Sequence, residues 1–216
     1  MERKNFAVLG LGRFGKNVAL TLEEMGYNVL GVDKDENVAT ELAESLTKVV
    51  SFDIRDEHAL KEIGISEFDV VIIASKSLEA SLMATMLCNE LNVGEIIVKA
   101  IDERHAKMAE RLGASRVIFS ERDTARRLAR SLTAKNIEEL SEIDDNIRII
   151  RVKVPEKLVG KNLINSKLRS DYGLNAIAIQ SGNEMIISPS YVFKAEDKIY
   201  LIGTNESLLK FERELT

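Results

Sequence analysis

The chain has 216 residues, 45% hydrophobic and 30% charged, the balance of a soluble globular protein with enough chain for one large domain or two small ones. Its net charge of −5, with Arg126, Arg127 and Arg130 as the single basic cluster, argues against nucleic acid as a main partner. No apolar run reaches the roughly 18 residues of a membrane span, no signal peptide is expected ahead of Phe6-Ala7-Val8-Leu9, and the lone Cys88 excludes an internal disulfide and fits a reducing cytoplasm.

The first apolar run predicts a strand over 5–10. It leads into Gly10-Leu11-Gly12-Arg13-Phe14-Gly15, a helical pattern at 14–25, and a second strand at 28–33 that ends on Asp33. This is G-x-G-x-x-G in its required setting, with a strand before, a helix after and an acid at the end of the next strand. Gly10 permits the turn, Gly12 lets the backbone approach a phosphate, and Gly15 lets helix pack on strand. The helix N-terminus offers N–H groups to that phosphate, and Asp33 can accept from a ribose hydroxyl. An adenine nucleotide is therefore expected.

Strand patterns recur at 48–52, 69–74, 95–99 and 116–119, with helical patterns at 36–46, 56–63, 77–91, 103–112 and 121–132. Val70-Val71-Ile72-Ile73 and Ile96-Ile97-Val98 are continuous apolar runs, as buried parallel strands require. The fold class is α/β: a doubly wound, Rossmann-like parallel sheet over 1–134, with its crevice at the carboxyl ends of the strands. The stretch 133–147 is polar and acidic and reads as a helix plus linker, the helical linker proper being 135–145. A smaller α+β domain is expected over 146–216, with strands at 147–154, 174–180, 184–188 and 198–203. A final helix at 205–215 is capped by Thr204 or Asn205.

Catalytic equipment is sparse. The two histidines, His58 and His105, fall on predicted helices and read as exposed helix residues, while Cys88 reads as a small buried hydrophobe. No zinc, Walker A or nucleophile-elbow pattern is present. The chain is expected to bind a nucleotide and not to be an enzyme; an NAD(P)-dependent oxidoreductase and an NADH-reading redox sensor are the alternatives. Arg13 adds a permanent cation to the phosphate loop and favours a triphosphate, or is a solvent-exposed arginine at a helix start. Glu121, after the sixth strand, helps hold a cation near phosphates or merely suits the first turn of its helix. Asp53, at the end of the third strand, is positioned to border the adenine, and Asp56 is the better cap for the helix that follows.

These residues together resemble the regulator-of-potassium-conductance family, in its cytosolic regulatory subunits of Ktr- and Trk-type potassium uptake systems. Gly10-Leu11-Gly12-Arg13-Phe14-Gly15, Asp33, Val98-Lys99-Ala100 and Gly113-Ala114-Ser115-Arg116-Val117-Ile118 leading to Glu121 carry the resemblance. In the second domain it rests on Leu158-Val159-Gly160-Lys161 and on Tyr172-Gly173-Leu174 through Ile187-Ser188-Pro189. The resemblance implies that Gly10, Gly12, Phe14 and Gly15 form the phosphate loop and that Asp33, flanked by Lys34, holds the adenosine ribose. Asp53 and Ile54 then border the adenine, Ala74 and Ser75 close the far side of the ribose, and Lys99 lies near the phosphates. Arg13 reaches the terminal phosphate of ATP across a dimer interface, and Glu121 helps place a cation there. The implied ligands are ATP and ADP as a switching pair, with NAD(H) as the alternative. The implied assembly is a homodimer built into an octameric ring, cytoplasmic and peripheral on the inner face of the membrane beneath a potassium-translocating subunit. Some relatives bind cyclic di-AMP in the C-terminal domain; the matching positions are Ile164, Leu168, Arg169, Asn175 and Pro189, with core packing and surface charge as the competing reading. The sequence departs from the family at Phe52-Asp53-Ile54-Arg55, where many relatives have Gly-Asp-Ala-Thr, and at Ser75, where glycine is frequent.

Overall fold

The computed structural model describes residues 4–133, 137–143 and 146–215. The chain divides into two units, Met1–Arg122 and Asp123–Thr216. The first alternates strand and helix: β1 (Asn5–Leu9), α1 (Arg13–Glu24), β2 (Asn28–Asp33), α2 (Glu36–Leu42), β3 (Lys48–Ser51), α3 (Glu57–Glu62), β4 (Val70–Ile73), α4 (Leu78–Glu90), β5 (Glu95–Lys99), α5 (Glu103–Arg111) and β6 (Arg116–Ile118). A sixth helix, α6 (Ser120–Thr133), follows. The six strands form one parallel sheet in the order β3-β2-β1-β4-β5-β6.

That order reverses between β1 and β4, and the carboxyl ends of those two strands diverge into a crevice. Ala7, Leu9, Val71, Ile73 and Val98 pack on one face of the sheet, and Val8, Val29, Val70 and Ile72 on the other. Both faces are therefore covered, and each fully buried Leu or Ile contributes about 1.5–3 kcal/mol. Cys88 lies in this core, where burial pushes its thiol up to about 12. It behaves as a small hydrophobe, as expected. No helix among the described residues is long and apolar enough to cross a membrane.

The second unit is built on β7 (Ile137–Glu142), β8 (Ile147–Lys153), α7 (Leu168–Tyr172), β9 (Asn175–Ser181), β10 (Glu184–Ile186), β11 (Lys198–Thr204) and α8 (Asn205–Leu215). Its strands form an antiparallel sheet in the order β10-β9-β11-β8-β7. Phe193, Phe211, Leu174, Ile179, Ile199 and Leu201 make its core, and Tyr172 meets Phe211 edge-on at 5.5 Å. Thr204 caps α8, its hydroxyl accepting from the Ser207 N–H at 3.2 Å.

Two expectations are corrected. The helical linker at 135–145 instead contains β7, paired antiparallel with β8. In the register Glu138 stands opposite Arg151 and Glu142 opposite Arg148. β7 is the edge strand of its sheet, where a sequence rich in charge is common. The second correction concerns His105, which is buried rather than exposed. Its Nδ1 accepts from the Ile101 N–H at 3.2 Å, so its Nε2–H faces Ser81 Oγ at 3.1 Å. Burial lowers its pKa from the ordinary value, opposed by the nearby Asp102. His58 is exposed on α3, as expected.

Candidate functional site

The crevice above β1 and β4 is a cleft of about 540 Å³ lined by Gly10, Gly12, Asp33, Lys34, Phe52, Asp53, Ile54, Arg55, Ala74, Ser75, Lys76, Ser77 and Ala80. Its floor is the phosphate-type loop. Gly10 turns with φ +98°, a conformation that strains any residue with a side chain. A Cβ on Gly15 would lie 1.9 Å from the Gly10 carbonyl oxygen, so only glycine lets α1 approach β1 this closely. A Cβ on Gly12 would meet nothing nearer than Lys76 Cε at 3.7 Å. The fold itself therefore leaves the space over Gly12 open.

Helix α1 begins on Gly12 with no side-chain cap and no acid in its first turn. By contrast Asp35, Asp56, Ser77 and Asp102 cap α2, α3, α4 and α5. The amides of α1 and its positive dipole end face the cleft without a local anion, the environment an anionic ligand would complete. Asp33, at the end of β2, is tied directly to the loop. Its Oδ2 accepts from the Leu11 N–H at 2.7 Å and its Oδ1 from the Asp35 N–H at 3.1 Å. These bonds fix the carboxylate, and each oxygen keeps a lone pair for a ribose hydroxyl.

At the base end, Asp53 accepts from Arg55 through both the backbone N–H at 3.0 Å and the guanidinium, whose Nη2 lies 2.6 Å from Oδ2. These bonds from Arg55 lower the Asp53 pKa to about 2, so the acid is ionised at neutral pH. Ile54 is buried beneath, and Ala74 is buried opposite. Ser75 accepts from the Ser77 N–H at 3.1 Å.

The other expected site residues lie outside this lining. Arg13, the first residue of α1, is exposed. Phe14 is half-buried, and Lys99 Nζ lies 5.9 Å from its ring centroid. Lys99 is buried at the end of β5 and pairs with Glu121 Oε1 at 3.2 Å. Glu121 also accepts from the Ser120 hydroxyl at 2.6 Å, the main cause of its lowered pKa, with Lys99 adding to it. Among the described residues no three metal-binding side chains cluster. In the second unit Ile164 is 70% exposed and Arg169, Asn175 and Pro189 are exposed, but Leu168 is buried in the core. Leu168 therefore offers no ligand surface. Ile164 likewise does not share a helix with it, since α7 begins at Leu168.

Lys76, Ser77 and Ala80 line the cleft without having been expected there, while Phe52 and Arg55 line it with the rest of the third-strand motif. Lys76 follows the carboxyl end of β4, a position that faces the crevice in any doubly wound sheet, and that is the signal that would have found it.

A TrkA-N domain model matches residues 6–120, and a TrkA-C domain model matches residues 147–216. The Ktr system potassium uptake protein C of Bacillus subtilis (strain 168) is 34% identical over 216 residues, covering 99% of this chain and 98% of its own. Among solved structures, the GsuK channel bound to NAD superposes with a TM-score of 0.67 at 19% identity, covering all of this chain and 40% of that one. Shewanella denitrificans Kef CTD in AMP bound form gives a TM-score of 0.52 at 26% identity, covering 60% of this chain and 80% of that one.

Proposed function

The chain belongs to the family of paired TrkA-N and TrkA-C domains, and we propose that it is the nucleotide-sensing regulatory subunit of a Ktr- or Trk-type potassium uptake system. The near full-length likeness to a potassium uptake protein supports the transport assignment. The membrane-embedded translocator is then a separate polypeptide, and this chain acts as a cytoplasmic subunit beneath it, in a ring of dimers. The ligand is an adenine nucleotide, in line with the AMP bound by the Kef relative.

One observation carries the sensing role over an enzymatic one. The cleft presents an uncapped helix N-terminus and a fixed acid, yet among the described residues its lining contains no His, Cys, Tyr or Glu. Its two acids are already held, Asp33 by backbone amides and Asp53 by Arg55, and its two lysines, Lys34 and Lys76, are cations suited to a phosphate-bearing ligand. A hydride-transfer or hydrolytic site needs a free acid or base within hydrogen-bond reach of substrate. Binding without chemistry is what a conformational switch requires, provided the two ligands prefer different states.

The switch is ATP against ADP. Arg13 is exposed at the start of α1, free to reach the terminal phosphate of a nucleotide held by a neighbouring subunit. Calorimetric titration with ATP, ADP and NADH tests this. Both adenine nucleotides should bind, and Arg13→Ala should weaken ATP by about ten-fold while changing ADP little, since one charge-assisted contact is worth about 1.5–3 kcal/mol. Equal losses for the two nucleotides would remove Arg13 as the reader, and NADH binding far more tightly than ATP would replace the switch with a redox sensor.

A further inference from the structure

At the base end of the cleft one arginine joins the two walls. Arg55 follows β3, and its guanidinium reaches Asp53 on its own loop and Glu79 in the first turn of α4. Nε lies 3.0 Å from Asp53 Oδ1, Nη2 lies 2.6 Å from Asp53 Oδ2, and Nη1 lies 2.8 Å from Glu79 Oε1. All three nitrogens donate to carboxylates, through N–H bonds that lie in the guanidinium plane. The plane is thereby fixed, and what remains for a ligand is chiefly its face. Among the described residues Arg122 lies 3.5 Å over the Phe119 ring, whereas no ring covers Arg55. Arg55 remains 44% exposed and lines the cleft beside Phe52 and Ile54.

We propose that Arg55 is the base platform of this site, a guanidinium held flat by Asp53 and Glu79 on which the purine of the nucleotide stacks. The proposal rests on the adenine-nucleotide reading of the cleft and adds how the base is held. A planar cation has a strong preference for the face of an aromatic ring. It also reassigns Asp53. With both oxygens accepting from Arg55, Asp53 is the anchor of the platform rather than a reader of the base edge. Glu79 is a positioning residue on the opposite wall. Stacking reads ring area and not edge pattern, so the platform favours purines over pyrimidines and grips every adenine ligand alike.

The test is binding of ATP, NADH and CTP to the full chain and to Arg55→Ala, Arg55→Lys and Glu79→Gln. Arg55→Ala should weaken ATP and NADH by about five- to ten-fold and shrink the preference for ATP over CTP by about the same factor. Arg55→Lys keeps the charge but loses the plane, and should behave as Arg55→Ala does. Glu79→Gln leaves Arg55 in place with one anchor weakened, and should cost ATP about two-fold; these last two variants carry the test if Arg55→Ala does not fold. Equal losses for ATP and CTP, rescue by lysine, or tighter binding on removal of Arg55 would overturn the platform, the last showing a strap across an otherwise better pocket. Failure of the unaltered chain to bind any adenine nucleotide would instead sink the reading of the cleft itself.

Discussion

Gly12, the N-cap of α1, and Gly15, in its first turn, lie three residues apart, yet the structure asks different things of them. At Gly15 a methyl group would collide with the Gly10 carbonyl, a backbone atom that cannot swing aside. Gly15→Ala should therefore destabilise the first unit by about 2–3 kcal/mol, as overpacking does. At Gly12 the backbone is extended, with φ −62° and ψ 178°, and the added methyl would meet only the flexible end of Lys76. Gly12→Ala should cost the fold under about 1 kcal/mol. It should still lower nucleotide affinity by at least about ten-fold, because the methyl occupies the approach to the loop amides. Urea denaturation and ATP titration of both variants check this pair, and a Gly12→Ala protein that binds normally would show that no phosphate lies against the loop. This part of the site was legible because its residues are close in sequence, within one strand–turn–helix–strand unit ending at Asp33. Lys76, and Glu79 as the partner of Arg55, were not, because sheet topology, not local spacing, brings the loops after β3 and β4 to the cleft.

The strands of the parallel sheet were legible for a similar reason: Val70–Ile73 and Glu95–Lys99 are short apolar runs bounded by polar loops. Periodicity failed where the element is short or its stabilisation comes from a distant partner. Helix α7 has five residues, too few to repeat a 3.6-residue pattern, and β7 is defined by its antiparallel pairing with β8. It failed too at α5, where a helix rich in charge buries His105 against α4. That burial has a consequence for pH. The folded chain holds His105 neutral with its pKa below the ordinary 6.5, so the unfolded chain protonates first as pH falls. The stability that this neutrality supports is complete above about pH 6.5 and is lost below it, by at most about 1.4 kcal/mol per pH unit. Urea unfolding at pH 7.5 and 5.5 should show a larger acid loss for the native chain than for His105→Gln, whose amide keeps a donor and an acceptor but does not titrate. Identical losses in the two proteins would mean that other groups carry the acid sensitivity.

The two units have separate cores, Leu9, Val71 and Ile73 in the first and Phe193, Phe211 and Ile199 in the second. Every residue that lines the cleft belongs to Met1–Arg122. A ligand that binds only the folded form of one unit adds its linkage energy to that unit's unfolding, about 2.7 kcal/mol at a concentration a hundred times its dissociation constant. Two-state behaviour is a property of single domains and need not extend across two cores. Calorimetric melting of the full chain should therefore resolve two transitions, of which saturating ATP raises one by about 10 °C and leaves the other in place. Phe211→Ala supplies the converse. Phe211 is fully buried against Tyr172, and its loss should cost the second unit about 3–5 kcal/mol while the ATP-sensitive transition holds its position. If ATP moves both transitions together, or if Phe211→Ala lowers the ATP-responsive one, the units do not unfold independently. The nucleotide's effect is then shared across the whole chain, and the second unit would have to be counted as part of the sensor.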